Sequence, residues 1–263
     1  MRPAVLVLHV PGTNRDHDAA EAIALAGGAP EIVQLEQLIA GQRQLDEFRM
    51  LLLPGGFSYG DDLGAGRVWS IALRHQLRDQ MNDFVASGRP VLGICNGFQA
   101  LIKSGLIPAG PSIETVWADE RPATLTHNAS GHFECRWVRL EPNAQSQCVF
   151  TRDLREPIVC PVAHGEGRVA VRSGESLEIL EAAGQVTLRY AGESDGAAGY
   201  PYNPNGSVGD IAALCNPAGN VMGMMPHPED HIRATQHPEF HRGVSGNLGL
   251  ALFESGVRYA ARV

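Results

Sequence analysis

The chain opens with AVLVLHV at positions 4–10, an apolar run without the alternation of a half-exposed strand, so it predicts a strand buried on both faces. PGTN then turns the chain. Residues 16–28, DHDAAEAIALAGG, place acidic residues early and glycine last around helically spaced apolar positions, which predicts a helix. EIVQL (31–35) and FRMLLLP (48–54) predict two more strands. Helical spacing then continues from 68 to 88 and stops at Gly88, predicting one helix. PVLGIC (90–95) is another buried strand, and NGFQALIKSG (96–105) is the helix directly after it. This alternation predicts an α/β fold, a mostly parallel sheet with helices on both faces.

The pattern changes in the middle. FECRWVRLEP, PIVCPVAHGEGRVAV and QVTLRYAG are strand-rich, with one helical segment at 173–184. GYPYNPNGS (199–207) has the composition of a loop, and residues 210–226 predict a hairpin turning at Asn-Pro-Ala-Gly-Asn. No repeat, low-complexity linker or composition break divides the chain, so a single domain over residues 1–263 is expected.

Composition narrows the functional classes. A 44% hydrophobic content over 263 residues supports a sizeable core. The formal net charge of −8, with no Lys/Arg block, argues against nucleic acid as a partner. No apolar run approaches the roughly 20 residues of a membrane span. The N-terminus lacks a small-residue cleavage site and reads as a strand rather than a signal peptide. Cysteines at 95, 135, 148, 160 and 215 form no CxxC pair and no disulfide framework, which suits a reducing cytoplasm.

Chemistry concentrates in two places. In Gly93-Ile94-Cys95-Asn96-Gly97 a buried strand meets a helix across Gly-x-Cys-x-Gly, the thiol counterpart of a nucleophile elbow. The glycines permit a sharp turn that lifts the sulfur above the strand end, with the positive end of the helix dipole behind it. The other four cysteines read as buried structural thiols. A nucleophile needs a base, and the base an orienting group. His-Pro-Glu occurs twice, at 227–229 and 237–239. The first copy follows the strand-like NVMGMM, so His227 stands at a strand end, in the crevice where Cys95 also lies, with Glu229 placed to orient it. The second copy follows a polar stretch, and His237 and Glu239 are expected in solvent. His227, His231, His237 and His241 fit no metal-ligand spacing, so no metal is expected.

PGGFSYGDDLGAG, GICNGFQALIKSGL, NASGHFECRWV, HGEGR, YPYNPNGS and GNVMGMMPHPE together resemble the class I glutamine amidotransferases, within them the PurQ-type glutaminases of phosphoribosylformylglycinamidine synthase. The resemblance runs from about Val5 to Glu229. It implies a single-domain amidotransferase fold with Cys95 as nucleophile, His227 as acid/base and Glu229 as orienter. It also implies an oxyanion hole from the backbone N–H groups of Gly56 and Asn96, and a pocket for L-glutamine that includes Gln99, Asn128, Ser130 and Phe133. It implies partners as well: a synthetase subunit (PurL type), which holds ATP and magnesium, and a small bridging subunit (PurS type). No cofactor is expected in this chain. Arg15 departs from the family, which often has cysteine there, in a loop expected to lie away from the triad. His164 reads as a loop or partner contact. Two rival readings are another cysteine hydrolase on the same elbow and a non-catalytic protein of the same fold. The former lacks a distal MMPHPE paired with GGFSYGD, and the latter would have lost Cys95, His227 or Glu229.

Overall fold

The computed structural model describes residues 2–108, 121–192, 196–244 and 246–263. In chain order these form β1 (Ala4–His9), α1 (Asp16–Leu25), β2 (Ala29–Gln34), α2 (Leu35–Ile39), β3 (Met50–Leu53), α3 (Arg67–His75) and α4 (Arg78–Ala86). Then come β4 (Val91–Ile94), α5 (Asn96–Ser104), β5 (Ala123–Thr126), β6 (Glu134–Pro142), β7 (Ile158–His164), β8 (Arg168–Val171) and α6 (Gly174–Ala182). The last are β9 (Val186–Ala191), α7 (Gly199–Tyr202), β10 (Ile211–Cys215), β11 (Val221–Met224) and α8 (Leu250–Ala260).

Unalternating apolar runs occupy the middle of the sheet, as expected of strands covered on both faces. All residues of β3, β4, β10 and β11 are buried. The strand order is β2-β1-β3-β4-β11-β10-β9-β6-β7. From β2 to β11 every pairing is parallel; beyond, β10 and β6 run against the other strands. β5 and β8 form a separate antiparallel ladder. The predicted hairpin is β10 and β11, and its turn is closed by the Asn216 side chain, which accepts from the Val221 N–H at 3.0 Å and donates to Asn220 at 2.9 Å. The loop at 199–207 contains one short helical turn.

The helix expected over 68–88 is two helices. The backbone leaves helical geometry at Leu77 (φ −113°, ψ 11°), and α4 starts on the next residue. Buried Trp69, Leu73, Leu77, Met81 and Phe84 keep a three- to four-residue spacing across the break. The apolar stripe therefore stays in phase, and periodicity alone does not reveal the interruption. No helix among the described residues is long and apolar enough to cross a membrane.

What matters for the site is that β3, β4 and β11 lie side by side and end together. Leu53 stands beside Gly93 and Met224 beside Ile94. The chain then turns into α5, whose first turn rests directly on the end of β3. A Cβ at Gly97 would stand 2.0 Å from the Leu53 carbonyl oxygen, so only glycine lets helix and strand approach this closely. Replacing Gly97 with alanine is therefore expected to destabilise the fold by about 3 kcal/mol or more, the upper end of overpacking costs, since a backbone carbonyl cannot rotate away. Gly174→Ala, with nothing within 4 Å of the added carbon, is expected to be neutral or mildly stabilising. Urea unfolding of the two variants measures the contrast.

Candidate active site

Cys95 sits between β4 and α5 with φ 49° and ψ −104°, a conformation that non-glycine residues rarely adopt. Its N–H donates to the Met224 carbonyl at 2.7 Å and its carbonyl accepts from Gln99 N–H at 3.0 Å, so strand and helix bonding hold the strained residue from both sides. The sulfur is nearly buried and lies 3.7 Å from the Ala163 carbonyl oxygen.

β11 delivers the expected base. His227 follows it by three residues, and its N–H donates to the Pro161 carbonyl at 2.8 Å. Imidazole Nδ1 lies 2.7 Å from Glu229 Oε1, and both side chains are buried. A carboxylate is only an acceptor, so Nδ1 carries the hydrogen and Nε2 is left for chemistry. Besides Glu229, the side chain of Cys95 interacts with the imidazole. Burial is the largest single influence on the imidazole and lowers its pKa. The Glu229 charge and then Cys95 outweigh it, so the pKa ends well above the usual histidine range. The result is a charged imidazolium held against the sulfur.

The third strand end supplies Gly56, three residues after β3. Its φ of +144° suits glycine, and a Cβ there would meet Gly12 O at 2.8 Å and Asn14 N at 2.9 Å. Asn96 is the first residue of α5, so its N–H has no intrahelical acceptor. Gly56 and Cys95 line one cavity of about 150 Å³ together with Gln99, Phe133, Ala163 and His164. Its size suits a single small molecule. Larger hollows elsewhere on the surface contain neither Cys95 nor His227.

The expected pocket residues divide. Gln99 lines the cavity, buried, with Nε2 donating to the Glu166 carbonyl at 2.6 Å. Phe133 lines its mouth and is exposed. Asn128 stands behind the wall: its Nδ2 donates to the carbonyls of His132 and His164 at 2.9 and 2.8 Å, and its Oδ1 accepts from Gly167 N–H at 3.1 Å. Its bonding capacity goes into holding the turn after β7. Ser130 is exposed outside the cavity, and its Oγ accepts from the His132 N–H. Asn205 of the NPNGS stretch holds the same turn, donating to the Gly167 carbonyl at 2.8 Å.

Three further expectations are corrected. His164 is a buried cavity residue at the end of β7, rather than a loop or partner contact. Nδ1 lies 3.2 Å from Asn128 Oδ1, and Nε2 is unpartnered. Burial, then the His227 charge, lowers its pKa to about 3, so it is a neutral acceptor at physiological pH. HGEG at the end of an alternating strand is the signal that could have placed it. Secondly, the Arg15 loop lies against the triad. It follows β1, the parallel neighbour of β3, so it reaches the same crevice, and Gly12 O accepts from the Phe57 N–H at 3.0 Å. Arg15 Nη2 pairs with Asp230 at 3.0 Å. That carboxyl is pushed up to about 6, by burial first and then by Glu229. A Cβ at Gly55 would meet His227 Cε1 at 2.7 Å and Arg15 Cγ at 3.5 Å, which shows how close the two side chains are. Thirdly, Cys135 is exposed, while Cys148, Cys160 and Cys215 are buried.

The second His-Pro-Glu is a turn. His237 Nδ1 accepts from the Glu239 N–H at 3.1 Å, and Glu239 pairs with Arg242 instead. The His237 ring is half-buried, 5.0 Å from Trp137 and 5.6 Å from His231, so it packs rather than standing free in solvent. Among the described residues no group of three or more His, Cys, Asp or Glu could hold a metal ion.

Residues 2–260 match the model of the CobB/CobQ-like glutamine amidotransferase domain. The chain is 45% identical to the phosphoribosylformylglycinamidine synthase subunit PurQ of Treponema denticola, over 98% of this chain and 99% of that one. It is 37% identical to the Archaeoglobus fulgidus subunit of the same name, over 98% and 97%. Among solved structures it superposes on a chain of PurLQS from Thermotoga maritima with a TM-score of 0.73 and 32% identity, covering 98% of this chain and 99% of that chain.

The geometry separates the two tripeptides in a kinetic experiment on glutamine hydrolysis. His227→Ala is expected to lower kcat by at least about 10³, the upper range of general acid–base contributions, and Glu229→Ala by a smaller factor. His237→Ala and Glu239→Ala stay within about a factor of three in kcat, with about 1 kcal/mol of stability lost at His237 from its ring contacts. An inactive His237 variant beside an active His227 variant would reverse the assignment. His164→Ala is expected to raise KM for glutamine about tenfold, the equivalent of one hydrogen bond, with kcat less affected.

Proposed function

The chain belongs to the CobB/CobQ-like glutamine amidotransferase family, and from that premise we propose that it is the glutaminase subunit of phosphoribosylformylglycinamidine synthase. One observation carries the reading. Three adjacent strand ends carry Cys95 and Gly56, which line one small cavity, Asn96 directly after Cys95, and the buried His227–Glu229 pair whose imidazole interacts with Cys95. The relatives named above supply the specific reaction.

The geometry implies the following chemistry. Cys95 Sγ attacks the carboxamide carbon of L-glutamine, and the oxygen becomes an oxyanion that accepts from the two backbone N–H groups. Such a donor is typically worth about 10²–10³ in rate. His227 gives its Nε2 proton to the departing nitrogen, the C–N bond breaks, and ammonia and a thioester remain. The now neutral His227 takes a proton from water, the resulting hydroxide attacks the thioester, and the C–S bond breaks to release glutamate. Thiolate and imidazolium are restored. Glu229 keeps Nδ1–H in place through both halves and stabilises the charge that reforms. Gln99, His164 and Phe133 line the space that receives glutamine.

The ammonia is passed to a synthetase subunit of the PurL type, which with ATP and magnesium converts formylglycinamide ribonucleotide to formylglycinamidine ribonucleotide. A small PurS-type subunit bridges the two. The likeness to a chain of the solved PurLQS structure supports such an assembly. So do Phe57 and Phe133 at the cavity mouth, which are 49% and 54% exposed, two large aromatic rings on free surface. The ribonucleotide substrates of that reaction support a cytoplasmic location.

In the assembled complex, Cys95→Ala is expected to abolish glutamine-dependent product formation and leave ammonia-dependent formation intact, because added ammonia bypasses this cavity. Loss of both activities would count against the assignment. Glutaminase kcat is expected to rise on assembly, as the partner orders the mouth residues. Equal kcat for free and assembled chain would contradict that coupling.

A further inference from the structure

Asn96 has a second use beyond its backbone. Its side chain is buried, and three hydrogen bonds use its oxygen and both N–H bonds. Oδ1 accepts from the Ser58 N–H at 3.0 Å. Nδ2 donates to Asp61 Oδ1 at 3.1 Å and to Gln99 Oε1 at 2.9 Å. Asp61 Oδ1 also accepts from the Gly66 N–H at 3.4 Å. One amide thus ties the first turn of α5 to the chain segment that begins at Gly56.

That segment is strained. Tyr59 and Asp61 have φ of 53° and 54°, in the left-handed region that side chains disfavour, with Gly60 between them at 68°. A strained backbone persists only where its surroundings over-determine it. On one side the loop after β1 does this with its backbone, Gly12 O accepting from Phe57 N–H at 3.0 Å and Pro11 O from Tyr59 N–H at 2.7 Å. On the other side stands Asn96, on the element that carries the nucleophile.

Resting on the site reading above, we propose that the Asn96 side chain is the positioning residue of the oxyanion hole. Asn96 supplies one donor through its own N–H, and through Ser58 and Asp61 its amide fixes the backbone that supplies the other, at Gly56. The residue that supplies one donor therefore also anchors, from the α5 side, the segment that supplies the other. An amide is required because one acceptor and two donors must be offered together. Aspartate would lose both donors and place a second carboxylate against Asp61, and leucine would fill the volume without any bond.

The test compares acyl chemistry with simple alkylation in the assembled complex. Cys135→Ser serves as background, so that the exposed thiol does not react. Asn96→Leu is expected to lower kcat for glutamine about 10²-fold, with KM changed less than about threefold, since a misplaced oxyanion donor is lost mainly in the transition state. Alkylation of Cys95 by iodoacetamide, a displacement at saturated carbon that builds no oxyanion, should stay within about a factor of two of its rate in the background protein. Ammonia-dependent synthesis should persist, which shows that the complex is intact. Asp61→Ala, which removes one anchor and leaves the Ser58 bond, should cost about tenfold in kcat, and it carries the test if Asn96→Leu does not fold. Unchanged kcat, or alkylation falling in parallel with kcat, overturns the proposal. Glutamine turnover surviving Cys95→Ala would instead overturn the site reading.

Discussion

The parallel pairing of β4 with β3 on one side and β11 on the other is the constraint from which the rest follows. Hydrogen-bonded register is all-or-none, because a one-residue slip turns each side chain to the opposite face. With Leu53 beside Gly93 and Met224 beside Ile94, the next few residues of all three strands have to emerge at one edge. Cys95, His227 and Gly56, the proposed nucleophile, base and oxyanion donor, are those next residues. Their mutual placement is inherited from backbone bonding in a buried sheet, which is far stiffer than a surface loop.

Burial makes this arrangement electrostatically demanding. Charged groups out of water are costly unless paired, and Glu229 and His227 are almost fully buried. Their pairing offsets the cost and leaves the imidazole protonated. The surrounding groups are graded to match. His164, beside the same cavity, is held neutral, and Asp230 is biased toward neutrality next to Glu229, with Arg15 balancing it from the loop after β1. Two neighbouring buried histidines therefore occupy opposite protonation states. The difference lies in what each Nδ1 meets, a carboxylate in one case and a side-chain amide in the other.

Much of this was legible in the sequence because the relevant signals are local. Gly-Ile-Cys-Asn-Gly announces a strand, a turn and a helix within five residues, and a strand-like run before the first His-Pro-Glu distinguishes it from the second. The split between α3 and α4 was not legible, since Leu77 keeps the apolar stripe in phase across the break. The Arg15 loop was misplaced for a different reason. Its position depends on β1 pairing with β3, a fact of topology that no residue of GTNRD encodes. Asn128 was expected in the pocket from the resemblance alone, and what it does follows from bonds to residues more than thirty positions away. The half-buried ring of His237 likewise depends on Trp137, a strand residue distant in sequence.

The hairpin of β10 and β11 has a consequence for the life of the chain before it is complete. Cys95 and the strand that brings its base are separated by nearly half of the polypeptide, and contacts of such long sequence separation form late. Synthesis exposes the amino-terminal half first. During that interval the thiol has neither Glu229 nor the imidazole to raise its reactivity. A polypeptide interrupted before Val221 has the elbow but not the strand that brings His227 and Glu229, so the order in which the fold closes joins Cys95 to its proposed base only when most of the molecule exists.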